Sequence, residues 1–376
     1  MIIKKNIFLL TSAFLCLFTS CSLFQLIEWG FEDKKDNSIY PSAVLALAGY
    51  DENNELDVQN SKPNQSIRIL KDYVSIYLVP KDDNTKIEVE VKESEYWYAS
   101  KAVFTCDKAD DRYIYKPVIN WKYDVLRKLN QPTPVNMVVQ LTVNGEDAGE
   151  RSKTLNLRSI NECVFAMRDG DKLIDFNMLF AAYVNEDHPL IQQILKEGLE
   201  TGIIKSYKGY QGGKEMNVYA QVLSIWNALE TRGIHYSNLI ESSQSSPVYF
   251  SQRVRTIEEA LTYSQANCVD GTVLFASLLK AIGIDPVLIR VPGHMFLGFY
   301  VNRKHTKMEF LETTLLGTEE TGLKEELTQF LGVESYDSFI KAIEKGKERY
   351  EQYKDSATFK MIDIKEIRKY IKPIGM

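Results

Sequence analysis

The chain is short of the residues that metal and redox chemistry use. It has four histidines and five cysteines in 376 residues. There is no Cys-x-x-Cys and no His-x-x-x-His pair, which argues against a zinc site of ordinary ligand spacing, and no cofactor or metal is expected. Lysine and arginine form no concentrated cluster, and the formal net charge is −6. A phosphate backbone needs a dense basic surface, so nucleic acid is not an expected partner. The one glycine-rich stretch, Gly209-Tyr210-Gln211-Gly212-Gly213-Lys214, lacks the phosphate-loop spacing and a Ser or Thr after the lysine, and reads as a loop. Internal repeats and low-complexity tails are missing, and apolar runs that suggest a membrane are confined to the first twenty residues.

Those twenty residues read as a leader. Lys4 and Lys5 precede an apolar run from Ile7 to Phe18, and Thr19-Ser20 supply small residues before Cys21. The run is too short for a comfortable bilayer span. The pattern resembles a bacterial lipoprotein signal, which implies cleavage and lipidation at Cys21, a membrane anchor there, and a place in the cell envelope, at the outer membrane. Loss of the two lysines makes the mature chain more acidic still. Of the other cysteines, Cys16 leaves with the leader and Cys106, Cys163 and Cys268 remain. In an oxidising compartment Cys106 and Cys163 either pair, leaving Cys268 as the odd thiol, or stand as two buried thiols.

Length after the leader suggests two domains. Residues 21–40 are expected to be a polar tether. From 41 to 165 the periodicity is that of strands: Ile87, Val89 and Val91 alternate with charged residues, and Met137, Val139, Leu141 and Val143 alternate up to the turn-like Asn144-Gly145. An immunoglobulin-like β-sandwich is the expected arrangement. Trp97, Tyr98 and Trp121 are either a sugar-stacking platform or core and edge aromatics of that domain. From 166 to 376 the period turns helical. Asp187-His188-Pro189 starts one helix, residues 217–232 form another that stops at Gly233, and Tyr336, Phe339, Ile340 and Ile343 mark a third. The polar loop from Ser242 to Pro247 precedes the most informative segment and suits the rim of a cleft.

That segment is Asn267-Cys268-Val269-Asp270-Gly271-Thr272. Asn267 is placed to cap a helix, so Cys268 meets free first-turn amides and the positive end of the helix dipole, which favour thiolate over thiol. Val273, Leu274, Leu278 and Leu279 form the apolar stripe that anchors the helix, and Gly283 offers its left-handed stop. Two β-rich runs joined at Pro292-Gly293 follow, the second beginning at His294. A thiol attacks carbonyls as thiolate, and an imidazole beside it takes the proton and later returns it to the leaving group. A third group must hold the imidazole, and the next strand-like run offers Glu309 and Glu312, with Glu312 preferred. A lone cysteine at a helix start is more often a small buried hydrophobe. The ordered succession of Cys, His and Glu reverses that reading.

The stretch from Asn267 to Thr314 resembles the core of the transglutaminase-like superfamily, within the papain-like cysteine enzymes. The cysteine helix with its exit Ala281-Ile282-Gly283-Ile284, the Gly293-His294 pair and the Glu312-Thr313 pair carry the resemblance. It differs in having Glu312 where the family usually has aspartate, and Phe296 where tryptophan is commoner. The resemblance implies a transglutaminase-like α+β domain, with Cys268 as nucleophile, His294 as base and Glu312 as orienting acid. It implies thiol-dependent hydrolysis or acyl transfer at an amide bond of an extracytoplasmic peptide, protein or peptidoglycan stem. The alternative is a non-catalytic envelope module that keeps the fold for binding. The Cys268 amide is the first oxyanion donor. Papain-like enzymes suggest an upstream glutamine as the second, and Gln221 and Gln265 are the candidates.

Overall fold

A computed structural model describes residues 27–34, 36–50, 63–71, 73–237, 246–318, 327, 330 and 332–375. Helix and strand take nearly equal shares, 32% and 31%, in a mixed α+β arrangement with several sheets, among them a curled half-barrel. Cys21 lies outside the described residues, as does most of the Ser242 to Pro247 loop.

The first half is built on alternation. A five-stranded sheet has the order Ser38–Ile39, Glu146–Leu157, Thr133–Val143, Thr85–Val91, Ser100–Cys106. Ile87, Val89, Val91, Met137, Val139, Leu141 and Val143 all point into the core, as their two-residue period requires. The hairpin between Val143 and Glu146 turns through Asn144 and Gly145, both at positive φ (50° and 89°), the backbone of a tight two-residue turn. A second, three-stranded sheet pairs Ile27–Phe31 with Ile76–Pro80 and that strand with Tyr113–Tyr115.

Some expectations are revised here, and some left open are decided. The segment assigned to a polar tether contains two strands, and Trp29 is buried in one of them, with its indole Nε1 donating to Ala148 O at 3.1 Å. Trp97 and Trp121 form no open platform. Both are buried and meet edge to face at 5.7 Å, and Trp97 Nε1 donates to Lys92 O, while Tyr98 alone is exposed. Cys106 and Cys163 are free buried thiols in different sheets, so no disulfide joins them. Residue 165 falls inside the strand Glu162–Asp169 rather than between domains. Helix Pro41–Ala46 packs with the second half: Ser42 Oγ donates to Glu162 O, and Lys372 N donates to Ala46 O.

In the second half a four-stranded antiparallel sheet has the order Met308–Leu311, His294–Tyr300, Pro286–Val291, Lys360–Asp363. One face carries Leu288, Met295, Leu297 and Phe299 in the main core with the helix Cys268–Ala281. The other carries Val287, Ile289, Val291, Phe296 and Phe310, joined by Tyr350 and Tyr353 of the helix Tyr336–Tyr353. The helix Glu215–Thr231 is locked by Trp226, fully buried between Phe275 and Phe339.

The helix Tyr336–Tyr353 approaches the strand Met308–Leu311 so closely that a Cβ on Gly346 would lie 2.7 to 2.9 Å from backbone atoms of Phe310 and Leu311. Backbone in a paired strand cannot give way as a side chain can. Gly346→Ala is therefore expected to cost about 1–3 kcal/mol, measured by urea unfolding. An unchanged midpoint would contradict this close approach.

Candidate active site

The cysteine helix is fixed at its first turn by a closed set of polar contacts. Asn267 Oδ1 accepts from Val269 N (2.8 Å) and Asp270 N (2.9 Å), and Asp270 Oδ2 accepts from Asn267 N (3.0 Å), a reciprocal capping box. Arg255 then binds Asp270 twice, through its backbone N to Oδ1 (2.8 Å) and its guanidinium to Oδ2 (2.6 Å). Both side chains are almost wholly buried. Asn267 thus consumes the second and third amides of the helix, and Asp270 the amide of Asn267 itself. Among the described residues the Cys268 N–H donates to no protein acceptor, which leaves it as an oriented donor beside its own sulfur.

His294 opens its strand directly after the Pro292-Gly293 turn, where Gly293 takes φ 68°. Its Nε2 lies 2.7 Å from Glu312 Oε2, and the Cys268 side chain is near enough to act on the ring. With Nε2 engaged by the carboxylate, Nδ1 is the nitrogen left for the sulfur. Burial alone would push the imidazole pKa down. The action of Cys268, with the hydrogen bond and charge of Glu312, outweighs it and raises the value from 6.5 to about 9. Phe296, two residues along the strand, lies parallel to the imidazole with 6.4 Å between ring centres.

Glu312 is 1% exposed. Burial would push its pKa up, but the hydrogen bond and charge of His294, the Thr314 hydroxyl and the Arg349 charge together hold it below its ordinary value. Its second oxygen, Oε1, accepts from Thr314 Oγ1 (2.7 Å) and Thr314 N (3.2 Å). Arg349 Nε approaches Oε2 to 2.5 Å without an aligned hydrogen bond, so this is a charge contact. The backbone of the acid is tied to the same helix, since Glu312 N donates to Ala342 O at 3.0 Å. Gly271 lets the cysteine helix come this near, because a Cβ there would sit 2.9 Å from Thr313 Oγ1.

The structure therefore brings His294 and Glu312 together beside Cys268, and engages Glu309 and Gln221 elsewhere. Glu309 accepts from the Tyr219 hydroxyl at 2.6 Å and faces Lys307. Gln221 is buried and spends its amide elsewhere: Nε2 donates to Gly209 O and Asn217 O, and Oε1 accepts from Lys208 N and Gly209 N. It has no donor left for an oxyanion, and its work is to fold the 208–209 turn. Gln265 lies in the short strand before the cysteine helix, which pairs with His235–Tyr236.

Tyr236, in that neighbouring strand, is a site residue that sequence reasoning missed. Its phenol is 46% exposed, and partial burial, then the charges of Cys268 and Glu312, raise its pKa. It therefore stays a protonated O–H donor at neutral pH. A two-residue strand has no periodicity to announce it, and the pairing that carries Tyr236 to the site is long-range.

A half-buried thiol, an imidazole near it, a carboxylate fixing one ring nitrogen and a free helix-start amide are the parts that acyl transfer through a thioester requires. No family model matches the sequence, and a search of curated proteins finds no match.

Proposed function

We propose that this protein is a transglutaminase-like, papain-like cysteine enzyme, anchored by lipid at Cys21 on the outer membrane and preceded in the same chain by an immunoglobulin-like β-sandwich. Its reaction is cleavage or transfer at an amide bond of an extracytoplasmic peptide, protein or peptidoglycan stem. The observation that carries this reading is the His294–Glu312 pair at 2.7 Å, near enough to Cys268 at the capped start of a buried helix for the thiol to act on the imidazole.

In this reading the Cys268 proton has already passed to His294 Nδ1 when sulfur attacks the carbonyl carbon, in keeping with an imidazole whose pKa is raised to about 9. The negative charge that forms on oxygen is met by the Cys268 N–H. Collapse breaks the C–N bond, His294 returns the proton to the departing amine, and a thioester remains. Water, activated by the same imidazole, regenerates the thiol and releases an acid; an amine in its place gives a new amide. Hydrolysis is the preferred outcome, in keeping with the resemblance to bacterial peptidases and amidases.

The test is intact-protein mass spectrometry after mixing with a panel of peptides and muropeptides. A transient mass increase on Cys268, absent from Cys268→Ala, is expected. No adduct with any substrate, together with unaltered peptide binding by Cys268→Ala, would favour the binding-module reading. The anchor is tested separately. Cys21→Ser should move the protein from the membrane fraction to the soluble one, and an unmodified mature N-terminus in the wild type would rule the anchor out.

A further inference from the structure

A cavity of about 680 Å³ lies between the strands Glu162–Asp169 and Lys172–Asp175 on one side and the strands Pro286–Val291 and Lys360–Asp363 on the other. Its charged lining is Arg168, Lys172, Arg290 and Lys360 against Asp171 and Asp175. Lys360 is already paired with Asp175 at 3.1 Å. Among the described residues neither arginine makes an ion pair with a carboxylate, so the cavity holds two guanidiniums whose charge no protein group answers at contact distance.

Aromatic rings support both guanidiniums from one side. Arg290 lies 4.1 Å from the centre of the Phe165 ring and Arg168 lies 5.6 Å from that of Phe250, while Phe165 is itself stacked on buried Phe180. A guanidinium held over a ring keeps its N–H edges for a planar, two-oxygen partner; Arg290 is partly buried and Arg168 lies exposed at the cavity mouth.

Strand register brings one wall of the cavity near the reacting groups. Arg290 stands next to Val291, the residue paired across the hairpin with His294. Its side chain is within electrostatic reach of the Cys268 sulfur, and of Cys163 behind it. We infer that this cavity is a carboxylate-binding subsite, in which Arg290 and Arg168 receive an acidic group of the peptide whose neighbouring carbonyl acylates Cys268. The inference rests on the reading of Cys268 as the nucleophile and narrows its substrates to peptides with a carboxylate close to the scissile amide.

The test uses two alkylating agents of nearly equal size, iodoacetate and iodoacetamide, which differ in charge. Labelling of Cys268 is followed by peptide mass spectrometry on the full chain. The ratio of the two rate constants cancels changes in thiol reactivity and fold that act on both reagents. Arg290→Met should lower the iodoacetate to iodoacetamide ratio about fivefold, Arg168→Gln less, and Arg290→Lys least of all, since it keeps the charge. An unchanged ratio in both Arg290→Met and Arg168→Gln overturns the subsite. His294→Ala separates this from the underlying reading: if it leaves both rates unaltered, the nucleophile assignment fails, whatever the arginine variants do.

The source of the carboxylate is found by protection of wild-type Cys268 against iodoacetamide. N-acetylglutamate α-amide offers only a side-chain carboxylate, N-acetylglutamine only an α-carboxylate, and N-acetylglutamine amide neither. Slowing by one of the acids that is lost in Arg290→Met supports the subsite and says which carboxylate it takes. Equal slowing by the neutral diamide, or none by any of the three, counts against it.

Discussion

Replacing His294 by alanine should slow acylation of Cys268 roughly 10³-fold, the usual scale for loss of a positioned general base. The same variant should slow the reaction of Cys268 with iodoacetamide, because no imidazolium remains beside the sulfur. Glu312→Gln should have a smaller effect, about tenfold, since the amide still touches Nε2 but no longer favours the charged ring. In the wild type the rate should fall on an alkaline limb near pH 9. There His294, with its pKa raised to about 9, loses the proton that the leaving amine needs. Stability follows the same sign: the raised imidazole contributes fully below its ordinary 6.5 and its contribution fades as pH rises through about 9. Glu312, held below its ordinary value, contributes above the usual carboxylate range and loses its effect as pH falls. A pH–rate profile that His294→Ala leaves unchanged would sink the assignment.

Asp270→Ala should be among the most damaging substitutions to stability, at about 3–5 kcal/mol. It strips the buried Arg255 guanidinium of its counter-charge and removes the acceptors for the Arg255 and Asn267 amides. Asp270→Asn keeps the shape and should cost less. The measurement is equilibrium urea unfolding, with Cys268 labelling followed in parallel, because the cap that fails is also what aims the cysteine. A loss below about 1 kcal/mol, the range of an exposed pair, would mean that the ion pair does not hold the helix start.

The parts of the fold legible in the sequence are those specified by near neighbours. Asn267, the apolar stripe from Val273 to Leu279 and Gly283 define the cysteine helix locally, and it runs from Cys268 to Ala281 with Gly283 at φ 78°. Asn144-Gly145 likewise announces its hairpin. What was illegible depends on partners distant in sequence. Nothing around Arg255 says that its charge ends on Asp270, and nothing around Arg349 says that it reaches Glu312. Gln221 stands upstream, where a second oxyanion donor is expected, but its amide is consumed by a turn that reads in the sequence only as a loop. The tether and the boundary at residue 165 erred in the same way. Composition and period describe a segment, but Ile27–Phe31 and Glu162–Asp169 take their places from the strands they pair with.

The tie between Glu312 and the helix Tyr336–Tyr353 sets the smallest piece of this chain in which the three groups can act together. A polypeptide ending just after Thr314 would contain the cysteine, the imidazole and the acid, and every residue by which they were found. It would lack Arg349, the Ala342 carbonyl that receives the Glu312 amide, and the Tyr350 and Tyr353 rings on the far face of the sheet. It would lack the edge strand Lys360–Asp363 as well. In a search for shorter versions of this protein, or for its parts inside other chains, the mark of competence is therefore the downstream arginine helix rather than the motif itself.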